Sequence, residues 1–246
     1  MKTRIRKIIA IGVIMATFMS VLLGCDIDKK AVDPILTQLS EKYNKTFVIN
    51  SLGDRIGKDT ATAYVSAEED SSMRFVVRVN TEGNLEYEEY AYRTVCRQTE
   101  NLVSDLLKKQ NMNGVCYCTF SPFYNDITPG TTPQEYIRAA GTKKLHISLV
   151  LENDGNLDVQ KLQEVYASLY DELNDLFIAS TVCVVSQKDY ANLYEHVLLE
   201  TEPFGAYRLS LYGTNDPIAE VLLVMSENGF RVTEGELQTA LSGEVN

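Results

Sequence analysis

Over 246 residues the chain sets 34 acidic side chains against 23 Lys and Arg, a formal charge of -11. That sign repels phosphate backbones and anionic headgroups, which argues against nucleic-acid binding and against electrostatic docking on a lipid surface. The length admits one large or two small domains, and 45% hydrophobic residues, with 14 Tyr and 8 Phe, can fill a core.

The N-terminus has a layout of its own. Lys2, Arg4, Arg6 and Lys7 precede an uncharged, mostly apolar run over 8–23, the pattern of an export signal. The run is shorter than the roughly 20 residues that cross a hydrocarbon core, so a retained transmembrane helix is the poorer reading. It ends in Leu22-Leu23-Gly24-Cys25, which resembles the lipobox of bacterial lipoproteins. The resemblance implies that residues 1–24 are a signal peptide cut away on export and that the Cys25 thiol carries a diacylglyceryl group. The mature chain would then begin at Cys25 on the extracytoplasmic face of the cell membrane, with a lipid as its link to the bilayer. Two acyl chains hold stably, at about 0.8 kcal/mol per buried CH2. Losing the signal also removes four cations, so the mature chain is more acidic still.

Residues 25–33 read as a lipidated tether. They hold no Gly or Ser tract, and 26–33 reach at most about 27 Å when extended. Asp33 before Pro34 has the form of an N-cap with Pro at the first helical position, and Ile35, Leu36, Leu39 and Tyr43 continue at helical spacing. The segments 47–51, 60–67 and 73–80 alternate in polarity between Gly53, Gly57 and the acidic turn Glu68-Glu69-Asp70, which predicts antiparallel strands with one wet face. In the third, Met73, Phe75, Val77 and Val79 share a side. After a turn at 81–84, a stripe from Tyr87 and Tyr90 through Val95 to Leu107 repeats at 3.6 residues and predicts a long helix stopped at Asn113-Gly114. The module 34–112 is thus expected as helix, three strands, helix, with both helices on the sheet.

Glu41-Lys42-Tyr43 with Phe47, Thr60-Ala61-Thr62-Ala63-Tyr64, Arg74-Phe75-Val76-Val77 and Tyr87-Glu88-Glu89-Tyr90 resemble a module of uncharacterised lipoproteins of Gram-positive bacteria. These are fold-forming residues, and the chain departs from the pattern in having Asn44 where Gly is usual. The resemblance implies compartment and fold and carries no chemistry.

The second module, 113–246, begins with a strand over 115–120 and a loop, 121–133, rich in Pro, Thr and Asn, long enough to be a functional loop. A helix over 133–140, a strand over 143–151, a turn at Asn153-Asp154-Gly155 and a helix over 158–177 follow. Then come a strand over 181–186, a helix over 188–199, a strand over 206–212, a helix over 217–227 capped by Asn215, and a helical turn from Thr233 with capping-box spacing to Glu236. The fold class is α+β: two small helix-on-sheet layers, mainly antiparallel sheet in the first and mixed α/β in the second.

Candidate chemistry is sparse. His146 and His196 lie off the apolar stripes of their elements and have no companion at metal spacing. Cys116 and Cys118 fall on one side of a strand, near the upper separation for a bond between them. The readings left for Cys96, Cys116, Cys118 and Cys183 are buried apolar residues, a disulfide from Cys96 or Cys183 to that pair, or, most remotely, zinc. The motifs of common hydrolases and nucleotide enzymes are missing. Asp171 and Asp175 are expected as neighbours on a helix, and Glu86, Glu88 and Glu89 as a solvated acidic face. Tyr92 is expected exposed among acids, while Phe123 and Tyr124 occupy the long loop, and exposed aromatics are enriched in binding surfaces. The other reading of Phe123 and Tyr124 is a lid folded on the second core.

The function this supports is a membrane-anchored, non-enzymatic lipoprotein that binds a protein or envelope component through Phe123, Tyr124 and Tyr92, with no metal and no cofactor. The alternatives are a small-ligand-binding lipoprotein of a transport system and an enzyme whose carboxylates assemble from separate segments.

Overall fold

Residues 26–53, 60–80, 82–155, 157–213 and 219–232 are described by the computed structural model, with backbone alone for 26–33. Cys25, the turn residue Thr81, the helix start at Asn215 and Pro217, and the turn from Thr233 lie outside them. The described residues form six helices and two open sheets, an α+β fold. They divide between Glu88 and Glu89 into two compact units, apart from Ser72–Phe75, which group with the second.

In the first unit, helix α1 (Asp26–Tyr43) precedes the antiparallel sheet β1 (Phe47–Leu52), β2 (Thr60–Ala67), β3 (Asp70–Asn80) and β4 (Leu85–Glu88), in that order across the sheet. The helix starts ahead of Asp33, so Pro34 lies inside it and 26–33 is helical rather than extended. Ile35 and Leu39 are buried, as are Met73, Phe75, Val77 and Val79 on one side of β3. Asn44 takes φ 52°, the left-handed region that glycine adopts freely and Asn tolerates better than most residues.

β4 is a strand where a helix start was expected. Tyr87 satisfies both periodicities, but opposite Arg78 on β3 it gains a cation–π contact, with the guanidinium 5.1 Å from the ring centroid. Gln38 of α1 holds the β3–β4 hairpin, donating to the Gly83 carbonyl at 2.9 Å and accepting from the Leu85 N–H at 3.0 Å. Glu88 is buried rather than part of a solvated face; it accepts from Lys42 Nζ at 2.7 Å and from the Tyr43 hydroxyl at 2.5 Å.

The second unit contains α2 (Tyr90–Lys109), β5 (Gly114–Ser121), α3 (Pro133–Ala140), β6 (Lys144–Asn153), α4 (Val159–Glu172), β7 (Phe177–Ser186), α5 (Gln187–Leu198), α6 (Ala206–Ser210), β8 (Ala219–Ser226) and β9 (Gly229–Arg231). The strands form one sheet in the order β5-β6-β7-β8-β9, in which β6 and β7 alone run parallel. One face carries Cys118, Phe120, Ile147, Leu149, Val182 and Leu223 into the main core beneath α2, α3 and α4. The other carries Val115, Val150, Cys183 and Val185 against Leu193 and Val197 of α5 and Leu209 of α6. Sequence marks several helix ends clearly. Thr132 and Glu135 form a capping box ahead of α3, with Pro133 in the first turn and Gly141 left-handed at φ 57° behind it.

The long helix α2 packs along β5 and finishes its edge. Tyr92 accepts from the Phe120 N–H at 2.8 Å. Glu100 Oε1 accepts from the Cys118 N–H at 2.9 Å, and Arg93 Nη1 donates to the Cys118 carbonyl at 3.3 Å. Arg93 and Glu100 pair with each other at 3.1 Å, 1% and 4% exposed, with the Tyr117 ring 4.4 Å from the guanidinium. Side chains thus take the place of a sixth strand, which satisfies backbone groups that burial would otherwise leave unpaired.

Three second-unit expectations are corrected. Residues 219–226 form a strand, not a helix: a continuous apolar run is ambiguous by period, and pairing with β7 from Ile178↔Met225 to Val184↔Ala219 decides it. The segment 206–212 opens with a short helix, not a strand, because Arg208 and Tyr212 both turn back onto buried Glu200. Helix α4 stops at Glu172, since Asn174 and Asp175 take φ 55° and 62°, so Asp171 and Asp175 are not helical neighbours and β7 begins at Phe177. Cys96, Cys116, Cys118 and Cys183 are all free and buried, with Cys116 and Cys118 sulfurs 4.0 Å apart. Burial pushes the Cys96 and Cys183 thiols up to about 12, so neither supplies a thiolate at neutral pH.

Candidate functional site

The aromatic trio singled out in the sequence comes together, but as packing. Tyr92 is 5% exposed, not free, because its hydroxyl is committed to the β5 edge. Its ring meets Phe123 edge-on at 4.7 Å and Tyr136 at 5.7 Å. Tyr136 is fully buried and its hydroxyl accepts from the Tyr124 N–H at 2.9 Å. The rest of the loop is strapped to α2: Thr94 Oγ1 donates to the Pro129 carbonyl and Gln98 Nε2 to the Thr131 carbonyl, both at 3.1 Å. Phe123 keeps 41% exposure while Tyr124 packs partly buried on the main core. The double substitution Phe123→Ser and Tyr124→Ser is therefore expected to cost about 2 kcal/mol and to lower the second unit's melting midpoint by roughly 4–8 °C. Calorimetry checks this; an unchanged midpoint would return the pair to a surface role.

The titratable groups outside the loop are held singly. Desolvation, then the charge of Lys144, lowers the His146 pKa from its ordinary value. His196 stacks on Tyr212 at 4.4 Å. Glu220 accepts from the Ala206 N–H at 3.2 Å, and Glu200 is paired with Arg208. Among the described residues, no three His, Cys, Asp or Glu side chains are placed to hold a metal ion. A cleft of about 460 Å³ on the outer face of the sheet, under Phe204 and Gly205, contains His146, Ser148 and Glu220. Ser148 Oγ is taken by the Phe204 N–H at 2.9 Å, and no hydrogen bond joins it to His146 among the described residues, so no nucleophile–base pair is assembled.

A larger cleft, about 680 Å³, opens at the end of the sheet where β6 and β7 begin. Three turns converge there: Thr142-Lys143 before β6, Asn174-Asp175 before β7, and Glu227-Asn228 between β8 and β9. The parallel register, Lys144 beside Phe177, puts the first two turns side by side, and the β8–β9 hairpin completes the ring. Tyr170 of α4 and Phe177 supply aromatic walls, and Arg231 stands on the β9 side. Loss of hydration raises the Tyr170 phenol above its ordinary value, and the carboxylates of Asp175 and Glu227 push the same way, so its proton stays on as a donor. Thr142 is 7% exposed and its Oγ1 has no hydrogen-bond partner among the described residues. The side chains of Lys143, Asn174, Asp175, Asn228 and Arg231 make no hydrogen bond or ion pair with the described residues. Sequence reasoning singled out Asp175 alone, and as a helical neighbour of Asp171; Lys143, Asn174 and Asn228 belong to ordinary turns and Arg231 to a short strand. Their one local signal was the Asn-Asp and Asn-Gly pairs, and what gathers them is strand order.

No family model matches the chain, and no curated protein matches it. Among solved structures, the chain is similar to the crystal structure of a DUF5037 family protein from Ruminococcus gnavus ATCC 29149, at 14% identity over 86% of this chain and 98% of that one, with a TM-score of 0.67. The likeness is one of fold: this α+β arrangement is shared with a protein whose family is named only by a number.

Proposed function

We propose that the chain is a lipid-anchored extracytoplasmic lipoprotein that binds a component of the cell envelope through the cleft at the start of β6 and β7 and does not transform it. The anchoring part is supported by Leu22-Leu23-Gly24-Cys25 behind a basic, apolar leader. The binding part is carried by one observation, the buried Thr142 hydroxyl without a hydrogen-bond partner among the described residues. A buried polar group left unmade costs about 1–3 kcal/mol, a penalty that a ligand hydrogen bond would remove. Against catalysis by a carboxyl acid, the cleft's carboxylates, Asp175 and Glu227, are exposed, whereas a carboxyl that acts as general acid at neutral pH is kept protonated by burial or by neighbouring charge.

The test is recovery from cells. Full-length protein immobilised from detergent should retain an envelope component that Thr142→Val fails to retain while melting at or above the wild-type midpoint, since the substitution removes an unpaired buried hydroxyl. Equal retention by both, or none by either, overturns the binding part.

A further inference from the structure

The chemistry of the same cleft narrows its ligand, an inference that rests on the binding role just argued. We infer that it takes a neutral oligosaccharide. Its ionisable lining is balanced, with Lys143 and Arg231 against Asp175 and Glu227, in a chain whose formal charge is -11. A site built for an anion would gather cations, and one built for a cation could simply use the acidic surface. The balanced ring selects neither.

What the ring does offer is a mixture of donors and acceptors at close quarters. Lys143, Arg231 and the Tyr170 hydroxyl donate, Asp175 and Glu227 accept, and Asn174, Asn228 and Thr142 do both. Every sugar hydroxyl likewise donates one hydrogen bond and accepts others, so a polyol satisfies such a set where an ion or an apolar chain would leave half of it unmade. The lining also contains the rings of Tyr170 and Phe177, and the C–H face of a pyranose packs on aromatic rings as apolar surface. The volume, about 680 Å³, lies within the range of sites that enclose an extended small ligand. Thr142 lines the same cleft, and its buried Oγ1 has no hydrogen-bond partner among the described residues.

The experiment is saturation-transfer NMR and calorimetry on the full-length protein in a detergent with a non-sugar headgroup. The probes are neutral gluco-, galacto-, manno- and N-acetylhexosamine trisaccharides, with triglycine as a zwitterion and inorganic phosphate as an anion. At least one trisaccharide should bind, Thr142→Val and Tyr170→Phe should each weaken it about tenfold, and neither should lower the melting midpoint. A midpoint that does not fall separates a ligand contact from a structural one, because the unpaired Thr142 hydroxyl does not stabilise the fold. Binding of triglycine or phosphate alone, or saccharide binding indifferent to both substitutions, overturns the inference, and so does silence from every trisaccharide. If envelope recovery depends on Thr142 while no trisaccharide binds, the saccharide class falls and the binding role stands. If a trisaccharide binds through Thr142 but envelope recovery does not depend on it, the source is a free sugar rather than the envelope. Displacement of the retained component by the same trisaccharide identifies the envelope as the source.

Discussion

Arg93→Met is expected to destabilise the second unit by about 3 kcal/mol, at the low end of the cost of breaking a buried ion pair, and to lower its melting midpoint by roughly 6–12 °C. The low end applies because Glu100 keeps two supports, Arg97 Nη1 at 3.3 Å and the Cys118 N–H at 2.9 Å. The informative companion is Arg93→Met with Glu100→Met. An isolated buried pair can often be replaced by apolar residues at no cost or with a gain. Here the double variant should stay destabilised, because it strands the N–H and carbonyl of Cys118 inside the protein, at about 1–3 kcal/mol for each buried group left unmade. Calorimetric melting of the three variants decides it. A double variant as stable as the wild type would mean that the pair does not serve the strand edge.

Cys25→Ser is expected to abolish lipid attachment altogether. Either the protein leaves the membrane fraction, or residues 1–24 stay on because the lipid that precedes cleavage is never added. The physical ground is that among the described residues no helix is long and apolar enough to cross a membrane, whereas acyl chains contribute about 0.8 kcal/mol per buried CH2. Mass spectrometry of the wild-type N-terminal peptide should find Cys25 first and diacylglyceryl-modified. An unmodified terminus beginning at another residue would end the lipoprotein reading.

How much of this was legible in the sequence depended on how local each signal was. The capping box at Thr132 and Glu135 and the alternation of Met73 to Val79 are short-range patterns whose elements stand where the patterns put them, whereas the stripe of α2 places the helix but not its start, since 85–88 pair with β3 as β4. β8 was misread because Val221-Leu222-Leu223-Val224 fits either period, and only its partner β7 selects a strand. By period Tyr92 stands off the stripe of Tyr87 and Tyr90, yet the β5 edge takes up its hydroxyl, and Arg93 and Glu100 are themselves buried against β5. The cleft was invisible for the same reason on a larger scale. Thr142, Asn174 and Asn228 are separated along the chain, and no spacing rule announces that β6 and β7 run parallel and bring their turns together.

The edge of β5 has a consequence for how copies of this protein meet one another. A sheet ordinarily invites further strands at its margins, and chains crowded together are prone to stack, swap segments or fibrillise through that invitation. Here the long margin is already answered by Tyr92, Arg93 and Glu100, and the opposite strand of the sheet, β9, is three residues long. Crowding can press such molecules face to face, but at Cys118 and Phe120 the β5 margin has no free N–H for a neighbour's backbone to meet. The buried charges of α2 therefore act as a guard against polymerisation as well as a clasp within one molecule.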